Sequence, residues 1–261
     1  MREMLTGTEI AIAGLAAAAA GAVNALAGGG TLISFPALMA LGVPGISANV
    51  TNTVALCPGY LGGALGQRDD LRGQRKRLLL FVPVGILGGL LGGTLLLSIG
   101  EGFFRILVPF LILLASGLLA AENRIRKWMG EREKKSVTGS GKEAMVPVGL
   151  AGIYGGFFGA GLSVIILAVL ALFLDDSMTR LNALKQCISL GVNTAAAILF
   201  IFSGMISWPL VLVMVTGALA GGMLGGTLAS WIDPVKLKWT IVYAGLIISA
   251  IFFIQLFEVP A

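Results

Sequence analysis

Long apolar runs fill most of the chain, and short polar or glycine-rich interruptions divide them. Runs near the ~20 residues that a membrane-spanning helix needs predict ten helical elements. In the first half they are Thr8–Ala27, Thr31–Val43, Ser47–Gly66, Leu78–Ile99 and Phe103–Ala121; in the second half they are Met145–Ala160, Leu162–Leu174, Leu181–Gly204, Trp208–Ile232 and Leu237–Phe257. The second element of each half is too short to span a bilayer.

Glycines interrupt the apolar pattern just before each short element. The pair Gly28 and Gly30 recurs as Gly159 and Gly161, at an offset of 159 − 28 = 131 residues. A proline or glycine break of this kind inside an apolar stretch is typical of a membrane helix that is broken within the bilayer.

A second match shows that the whole chain is a duplication. The run Gly88–Leu95 repeats at Gly221–Leu228 with seven of eight residues identical, at an offset of 221 − 88 = 133. Because five elements per half is an odd number, the halves should be inverted in the membrane. The predicted fold class is all-α: a polytopic membrane protein of two inverted-topology repeats of about five helical elements each, with eight to ten membrane elements and one short or broken element per repeat.

The positions of the basic residues predict which loops are cytoplasmic. Twelve of the eighteen Lys and Arg residues lie in two clusters, 68–77 and 124–142, which two predicted spans separate, so the positive-inside rule places both in the cytoplasm and both termini outside. The expected organisation is one membrane transport domain over 1–261: repeat one at 8–121, a cytoplasmic linker at 122–144 and repeat two at 145–257. If the short elements are half-helices or re-entrant arms, the number of spans falls towards eight.

Composition supports a membrane protein and excludes several classes of function. The chain is 57% hydrophobic and 12% charged, against roughly 25% charged residues in soluble domains. Histidine is absent, which removes histidine-ligated haem, two-histidine zinc sites and Ser-His proteases. Cys57 and Cys187 fall in predicted spans and should be free thiols, and no cofactor or metal is expected. The basic clusters lack an aromatic platform, so a lipid bilayer, not nucleic acid, is the expected partner.

The glycine breaks are the first candidate binding site. A helix that begins inside the bilayer presents unpaired N–H groups and the positive end of its dipole, which favour an anion. The expected contacts are the backbone after the breaks and nearby side chains: Asn24, Gly29, Gly30, Thr31, Gly161 and Ser163. Alternatively, the glycines only allow tight helix packing.

Polar residues at the start of each third element are the second candidate. At the offset of 133, Asn49 matches Asn182, Asn52 matches Lys185 and Thr53 matches Gln186, and residues three and four apart share a helical face. These two faces, together with Thr51, could line one cavity. We expect Lys185 to bind the anion, because lysine within a span usually faces the protein interior, a partner or water. The alternative is that Lys185 snorkels near the cytoplasmic end and pairs with Asp175 or Asp176.

Several motifs together resemble the sulfite exporter family TauE/SafE. They are Asn-x-x-x-Gly-Gly-Gly from Asn24, Phe-Pro from Phe35, Leu-Gly-Val-Pro from Leu41, Ala-Asn-Val-Thr-Asn-Thr from Ala48, Asn-Ala-Leu-Lys-Gln from Asn182 and the paired Gly-Gly-x-x-Gly-Gly runs. The resemblance covers nearly the whole chain and implies a bacterial inner-membrane permease that exports sulfite or small organosulfonates such as sulfoacetate. The second repeat departs from the first, with Gly-Ala-Gly at its break and Leu-Lys-Gln in place of Thr-Asn-Thr, so the cavity should be asymmetric.

The resulting hypothesis is a secondary transporter for a small anion that works by alternating access. A passive anion channel and a permease that imports another small sulfur-containing anion remain alternatives. An enzyme is not expected, since only Lys185 could act as a base for Ser163 or Cys187. Glycine-rich faces also allow a homodimer.

Overall fold

The computed structural model describes residues 6–26, 29–132, 141–227 and 234–258. Over these ranges the protein is all-helical, with ten α-helices, two short 3₁₀ helices (Arg68–Leu71 and Lys142–Ala144) and no strand. The α-helices are α1 Gly7–Leu26, α2 Thr31–Ala40, α3 Gly45–Gly66, α4 Arg75–Ser98, α5 Glu101–Arg132, α6 Met145–Phe157, α7 Leu162–Phe173, α8 Met178–Ile201, α9 Trp208–Thr227 and α10 Pro234–Glu258. The ten predicted elements are therefore confirmed.

The largest difference from the sequence-based boundaries is at the end of α5. This helix continues to Arg132, whereas the apolar pattern predicts its end at Ala121. Residues 122–129 contain neither glycine nor proline, and a polar sequence of good helix formers extends a helix as readily as an apolar one. Parts of three predicted features lie outside the described residues: Gly28, residues 133–140 of the linker, and the end of the ninth element at Ile232.

Helix length and composition agree with a polytopic membrane protein. Among the described residues, five apolar segments are long enough to cross a bilayer: Gly7–Asn24, Arg75–Ser98, Glu101–Glu122, Met178–Ile201 and Lys236–Phe257. The helix α3 is also 22 residues long, but polar residues near its start lower its hydropathy. Cys57 and Cys187 are free thiols, as predicted, and both are half-buried.

Contacts between helix ends define two opposite ends of the helix bundle. At one end, the side chain of Asn182 at the start of α8 donates to Gln67 at the end of α3 (2.9 Å). The described residues of both basic clusters lie at this end, which we call the basic end (residues 67–77, 122–132, 141–145 and 174–182). At the other end, the Glu101 carboxylate accepts the N–H groups of Gly45 and Ile46. We call this the distal end (residues 41–46, 98–104 and 201–208).

The short helices form two hairpins that come from opposite ends. Leu174, just after α7, packs against Gly141, just before α6, so this hairpin begins and ends at the basic end. Its second arm has 12 residues and a length of about 18 Å, short of the ~30 Å of a bilayer core. Helix α2 has 10 residues and leads back to the distal end, where α3 begins. Both short elements are therefore re-entrant arms, not crossings.

Glycines join the two halves of the chain by reciprocal helix packing. The backbone at Gly88 on α4 lies against Gly149 and Gly152 on α6, and the backbone at Gly221 on α9 lies against Ala18 on α1. Each contact leaves no room for a Cβ atom. Close backbone approach of this kind is the main way that membrane helices gain packing energy, because lipid already surrounds apolar side chains equally well.

An ionic cluster holds the starts of α4 and α8 together at the basic end. The Asp176 carboxylate accepts from Arg77 and from Arg180, at 2.9 Å for the latter, and the Arg180 side chain donates to the carbonyl of Arg72 (3.0 Å). Burial raises the pKa of the Asp176 carboxyl, but the hydrogen bonds from Arg180 and Arg77 outweigh it and hold that pKa below its usual range. The sequence-based alternative paired Lys185 with Asp175 or Asp176; in the structure the Asp176 carboxylate binds Arg77 and Arg180.

We predict that Gly221→Ala lowers the melting temperature of the purified protein by several degrees. The added methyl group would overlap the carbonyl of Ala18 and force α1 and α9 apart, a change that usually costs about 1–3 kcal/mol. The adjacent Gly222→Ala is the matched control, because its nearest atom would lie 3.7 Å from the new Cβ, at ordinary contact distance. Equal melting temperatures for both variants would contradict this packing.

We also predict that Asp176→Asn lowers the melting temperature at neutral pH. Since the folded carboxyl has a lowered pKa, its contribution is present above the ordinary carboxyl range and is lost as the pH falls below it. The difference between wild type and variant should therefore be constant from about pH 6 to 8 and shrink below about pH 4. Asp69→Asn serves as the control, since Asp69 and Arg72 form an exposed pair; a similar effect for both variants would refute the role of Asp176.

Candidate functional site

The tips of the two hairpins meet on one face of α5. Gly161 at the tip of α6–α7 packs against Ala115 and Leu118, and Gly29 at the tip of α1–α2 packs against Leu119. The phenyl rings of Phe35 and Phe158, which follow and precede the two breaks, are in edge-to-face contact, with their centroids 5.2 Å apart. The two breaks that the sequence predicts are therefore neighbours in the structure.

The tips need glycine for conformational reasons. Gly29, Gly159 and Gly161 have φ angles of +87°, +80° and +79°, in the left-handed region that side chains with a Cβ rarely adopt. Two polar contacts fix the turns: the N–H of Gly30 donates to the side-chain oxygen of Asn24 (2.7 Å), and the Tyr154 hydroxyl donates to the carbonyl of Ala160 (2.6 Å). The loop geometry is thus defined by backbone conformation and two side chains.

Each tip ends at the N-terminus of a half-helix. The N–H groups of Leu32 and Val164 return to carbonyls within the tips, at Gly29 and Gly161 respectively. By contrast, the N–H groups of Thr31 and Ser163 form no hydrogen bond with any part of the chain that the structure describes. Two helix N-termini, each with an N–H group that no described residue accepts, therefore face the same region, and both carry positive partial charge.

A cavity of ≈ 730 Å³ adjoins these N-termini. Its walls come from both hairpin tips, the second half of α3, the start of α8 and parts of α1, α5, α7 and α9. Polar and charged side chains in the lining are Asn24, Thr31, Tyr60, Gln67, Glu122, Ser163, Asn182, Lys185 and Gln186. Because Gln67, Glu122 and Asn182 belong to the basic end, the cavity extends to that end of the bundle.

Lys185 is the cationic residue among the described lining. This residue is only 9% exposed. It lies one helical turn after Asn182 and therefore further from the basic end. Gln186, next in sequence, packs against Gly63 of α3, where the absence of a side chain makes room for the amide. The start of α8 therefore presents an ammonium group and two amides to one cavity.

Glu122 is a lining residue that the sequence analysis placed in the linker. It lies in α5 one turn after Leu118 and two turns after Ala115, on the face that receives the hairpin tips. The i, i+4, i+7 spacing of Ala115, Leu119 and Glu122 could have placed Glu122 on this face from the sequence. The sequence analysis missed it because it ended the helix at Ala121, where the apolar run stops.

The structure brings together eight of the predicted site residues and separates the others. Lining the cavity are Asn24, Gly29, Thr31, Gly161, Ser163, Asn182, Lys185 and Gln186, while Gly30 caps α2 beside them. Outside the lining are four buried residues of α3: Asn49, Thr51, Asn52 and Thr53. The two polar faces thus do not line one cavity in this conformation.

The direction of the helices explains this separation. Two contacts show that helices α3 and α8 are antiparallel. Gln67 at the end of α3 is hydrogen-bonded to Asn182 at the start of α8, and earlier in α3 the Cys57 thiol lies 3.5 Å from the hydroxyl of Thr194, later in α8. The polar starts of the two helices therefore lie at opposite ends of the pair. Near the distal end, the Asn49 amide donates to the carbonyl of Phe157 (2.9 Å) and the N–H of Ser207 donates to the Thr51 hydroxyl (3.1 Å).

Aromatic side chains fill the bundle between the hairpin tips and the distal end. Phe35 and Phe104 are fully buried, with ring centroids 6.4 Å apart, and Phe104 also contacts Phe157 at 6.0 Å. The Glu101 bonds to the start of α3 lie beyond this layer. The cavity is accordingly accessible from the basic end and closed towards the distal end.

Comparison with known proteins agrees with this architecture. The family model for the sulfite exporter TauE/SafE matches residues 13–253. A "Probable membrane transporter protein" of Haemophilus influenzae is 30% identical over 204 residues, covering 78% of this chain and 78% of the relative. "Probable membrane transporter protein YfcA" of Escherichia coli K12 is 24% identical over 213 residues, covering 80% and 76%. No solved structure matches the chain. Residues 13–253, which include both hairpins and the cavity between them, place this chain in the sulfite exporter TauE/SafE family of multi-pass membrane transporters.

Proposed function

We propose that this transporter carries a small anion by alternating access and exports it across the bacterial inner membrane. The proposed cargo is sulfite or an organosulfonate such as sulfoacetate. The observation that carries this proposal is the meeting of two half-helix N-termini beside Lys185 in one cavity. Such an arrangement stabilises negative charge by two separate means, helix dipoles and a fixed ammonium group.

The donors around the cavity suit a sulfite or sulfonate group. Its oxygens are acceptors. The N–H groups of Thr31 and Ser163, which no described residue accepts, and the amides of Asn182 and Gln186 supply donors on several sides. Lys185 would neutralise the net charge.

The proposed direction of access follows from the basic clusters. If the basic end is cytoplasmic, as the positive-inside rule requires, the present conformation is open to the cytoplasm and ready to load cargo for export. The aromatic layer of Phe35, Phe104 and Phe157 would then be the closed outer gate. A closed gate on one side favours a carrier over a passive channel, which would need a continuous path. Import of a sulfur-containing anion uses the same site with the opposite net flux.

We predict that Lys185→Ala reduces the initial uptake of radiolabelled sulfite and sulfoacetate into proteoliposomes at least about tenfold. Removing the ammonium group leaves the partial charges of the half-helix N-termini as the positive charges of the described lining, and an interaction worth about 1.4 kcal/mol changes affinity tenfold. Lys185→Arg should retain most of the uptake. The matched control is Lys142→Ala, which removes an exposed lysine at the basic end outside the cavity lining.

Wild-type uptake should be saturable and should accelerate when the vesicles are preloaded with unlabelled anion, as expected of a carrier. Uptake that rises linearly with concentration would favour the channel. Equal uptake by wild type and Lys185→Ala would contradict the anion site, whereas absence of uptake for both compounds in wild type would reject the proposed cargo.

A further inference from the structure

Two buried amides on α3 have oxygen atoms without partners. Asn49 and Asn52 are each 1% exposed, and neither side-chain oxygen has a hydrogen-bond partner among the described residues. The amide orientation of Asn49 is fixed, because the carbonyl of Phe157 can only accept and must face the NH₂ group. Buried polar atoms without partners are costly, so these oxygens should gain hydrogen bonds from water in another state of the molecule. In that state the NH₂ groups of the same amides could donate to an anion.

Their position in the duplicated sequence identifies that state. Asn49, Asn52 and Thr53 occupy the places that Asn182, Lys185 and Gln186 occupy in the second half, at an offset of 182 − 49 = 133. The second trio lines the cavity at the basic end, whereas the first is buried towards the distal end. Equivalent residues thus differ in their access to a cavity, as expected when one of two related cavities is open and the other closed.

The packing of equivalent glycines shows the same asymmetry. Gly89 on α4 lies with its backbone against Val192 on α8, leaving no room for a Cβ atom. The equivalent positions in the other half are Gly222 on α9 and Gly59 on α3, with 222 − 89 = 133 and 192 − 59 = 133. Both line the open cavity, and a Cβ on Gly59 would meet nothing within 4 Å. The α4–α8 gap is closed while the α3–α9 gap is open.

From these observations we infer that Asn49, Asn52 and Thr53 form a second anion half-site, which opens to the distal end when α4 separates from α8 and α9 closes on α3. In that state the Asn49 NH₂ group leaves the carbonyl of Phe157, and the Thr53 hydroxyl turns away from the carbonyl of Asn49 to which it now donates (2.9 Å). Together with the Asn52 NH₂ group, they then donate to the anion. This inference rests on the proposed anion transport for its ligand, but not for its geometry.

The two half-sites differ in charge, and this difference favours release of the anion on the distal side. Where the half-site at the basic end has the ammonium group of Lys185, the distal half-site has the neutral amide of Asn52. An anion should therefore bind more weakly once the distal half-site is exposed, since only one state places the cation at the open cavity. Weak binding on the distal side speeds release there. It does not change the equilibrium across the membrane, but it makes the carrier faster as an exporter.

Cysteine accessibility tests the geometry without knowledge of the cargo. In a background with Cys57→Ala and Cys187→Ala, Asn52→Cys and the equivalent Lys185→Cys would be treated with a membrane-impermeant maleimide in right-side-out and inside-out vesicles. The two cysteines should be labelled from opposite faces of the membrane. A Gly59→Cys/Gly222→Cys disulfide would lock the α3–α9 gap in the closed state. This lock should increase Asn52→Cys labelling at least about fivefold and suppress labelling of Lys185→Cys. Both glycine positions accept a side chain without overlap.

Labelling of both cysteines from the same face would overturn the inference, as would an unchanged Asn52→Cys rate in the disulfide-locked protein. Labelling of either cysteine from both faces at once would indicate a continuous channel. None of these results depends on sulfite being the cargo, so failure of the proposed function would be seen separately in the uptake assay.

The charge difference makes a second prediction, for sulfite as the probe. Sulfite on the distal side should inhibit efflux by occupying the distal half-site. Asn52→Lys should lower its half-inhibitory concentration about tenfold, because the opened distal half-site gains a cation. Ser98→Lys, which adds the same charge at an exposed position of the distal end, is the control and should leave that concentration nearly unchanged. An identical inhibition constant for Asn52→Lys and wild type would contradict a distal half-site at this position.

Discussion

The need to satisfy backbone polar groups inside a bilayer governs this structure. A helix broken at Gly29 or Gly161 has N–H groups that lipid cannot hydrogen-bond, so the break is tolerated only where protein or a water-accessible cavity surrounds it. Both tips meet this condition in the same way. They pack on α5 between Ala115 and Leu119, contact each other through Phe35 and Phe158, and leave the remaining donors facing a cavity. The proposed anion site is thus a consequence of how the breaks are accommodated.

Glycine has two distinct roles in holding the tips in place. At the tips it supplies positive φ angles, whereas in α4 and α9 it lets helices from different halves of the chain approach with their backbones in contact. The reciprocal pairs, α4 with α6 and α9 with α1, attach each hairpin to a helix of the other half. In the proposed transport cycle each hairpin moves with its partner helix, and the gaps that change are α4–α8 and α3–α9.

The ends of the bundle are held by different chemistry. Asp176, Arg77 and Arg180 join helices α4 and α8 beside the open cavity, while Glu101 and the aromatic layer around Phe104 close the opposite side. The ionic cluster joins α4 to α8, and the gap between these two helices is closed in this conformation. The intact cluster and the buried side chains of Asn49 and Asn52 are therefore features of the same state.

Sequence alone determined the membrane class, the ten helical elements and the two breaks, because helix length, hydropathy and glycine placement are local properties. It also identified Lys185 and Asn182, since polar residues within apolar helices are rare for a physical reason. The inverted repeat stays a prediction from the sequence. Only the tertiary structure decided that the short elements are re-entrant arms, that Glu122 faces the cavity, and that Asn49 and Asn52 do not line it. These depend on the antiparallel direction of α3 and α8 and on which gap between helices is open. A spacing of 133 residues shows which residues are equivalent, but equivalent residues in an alternating carrier need not be exposed at the same time.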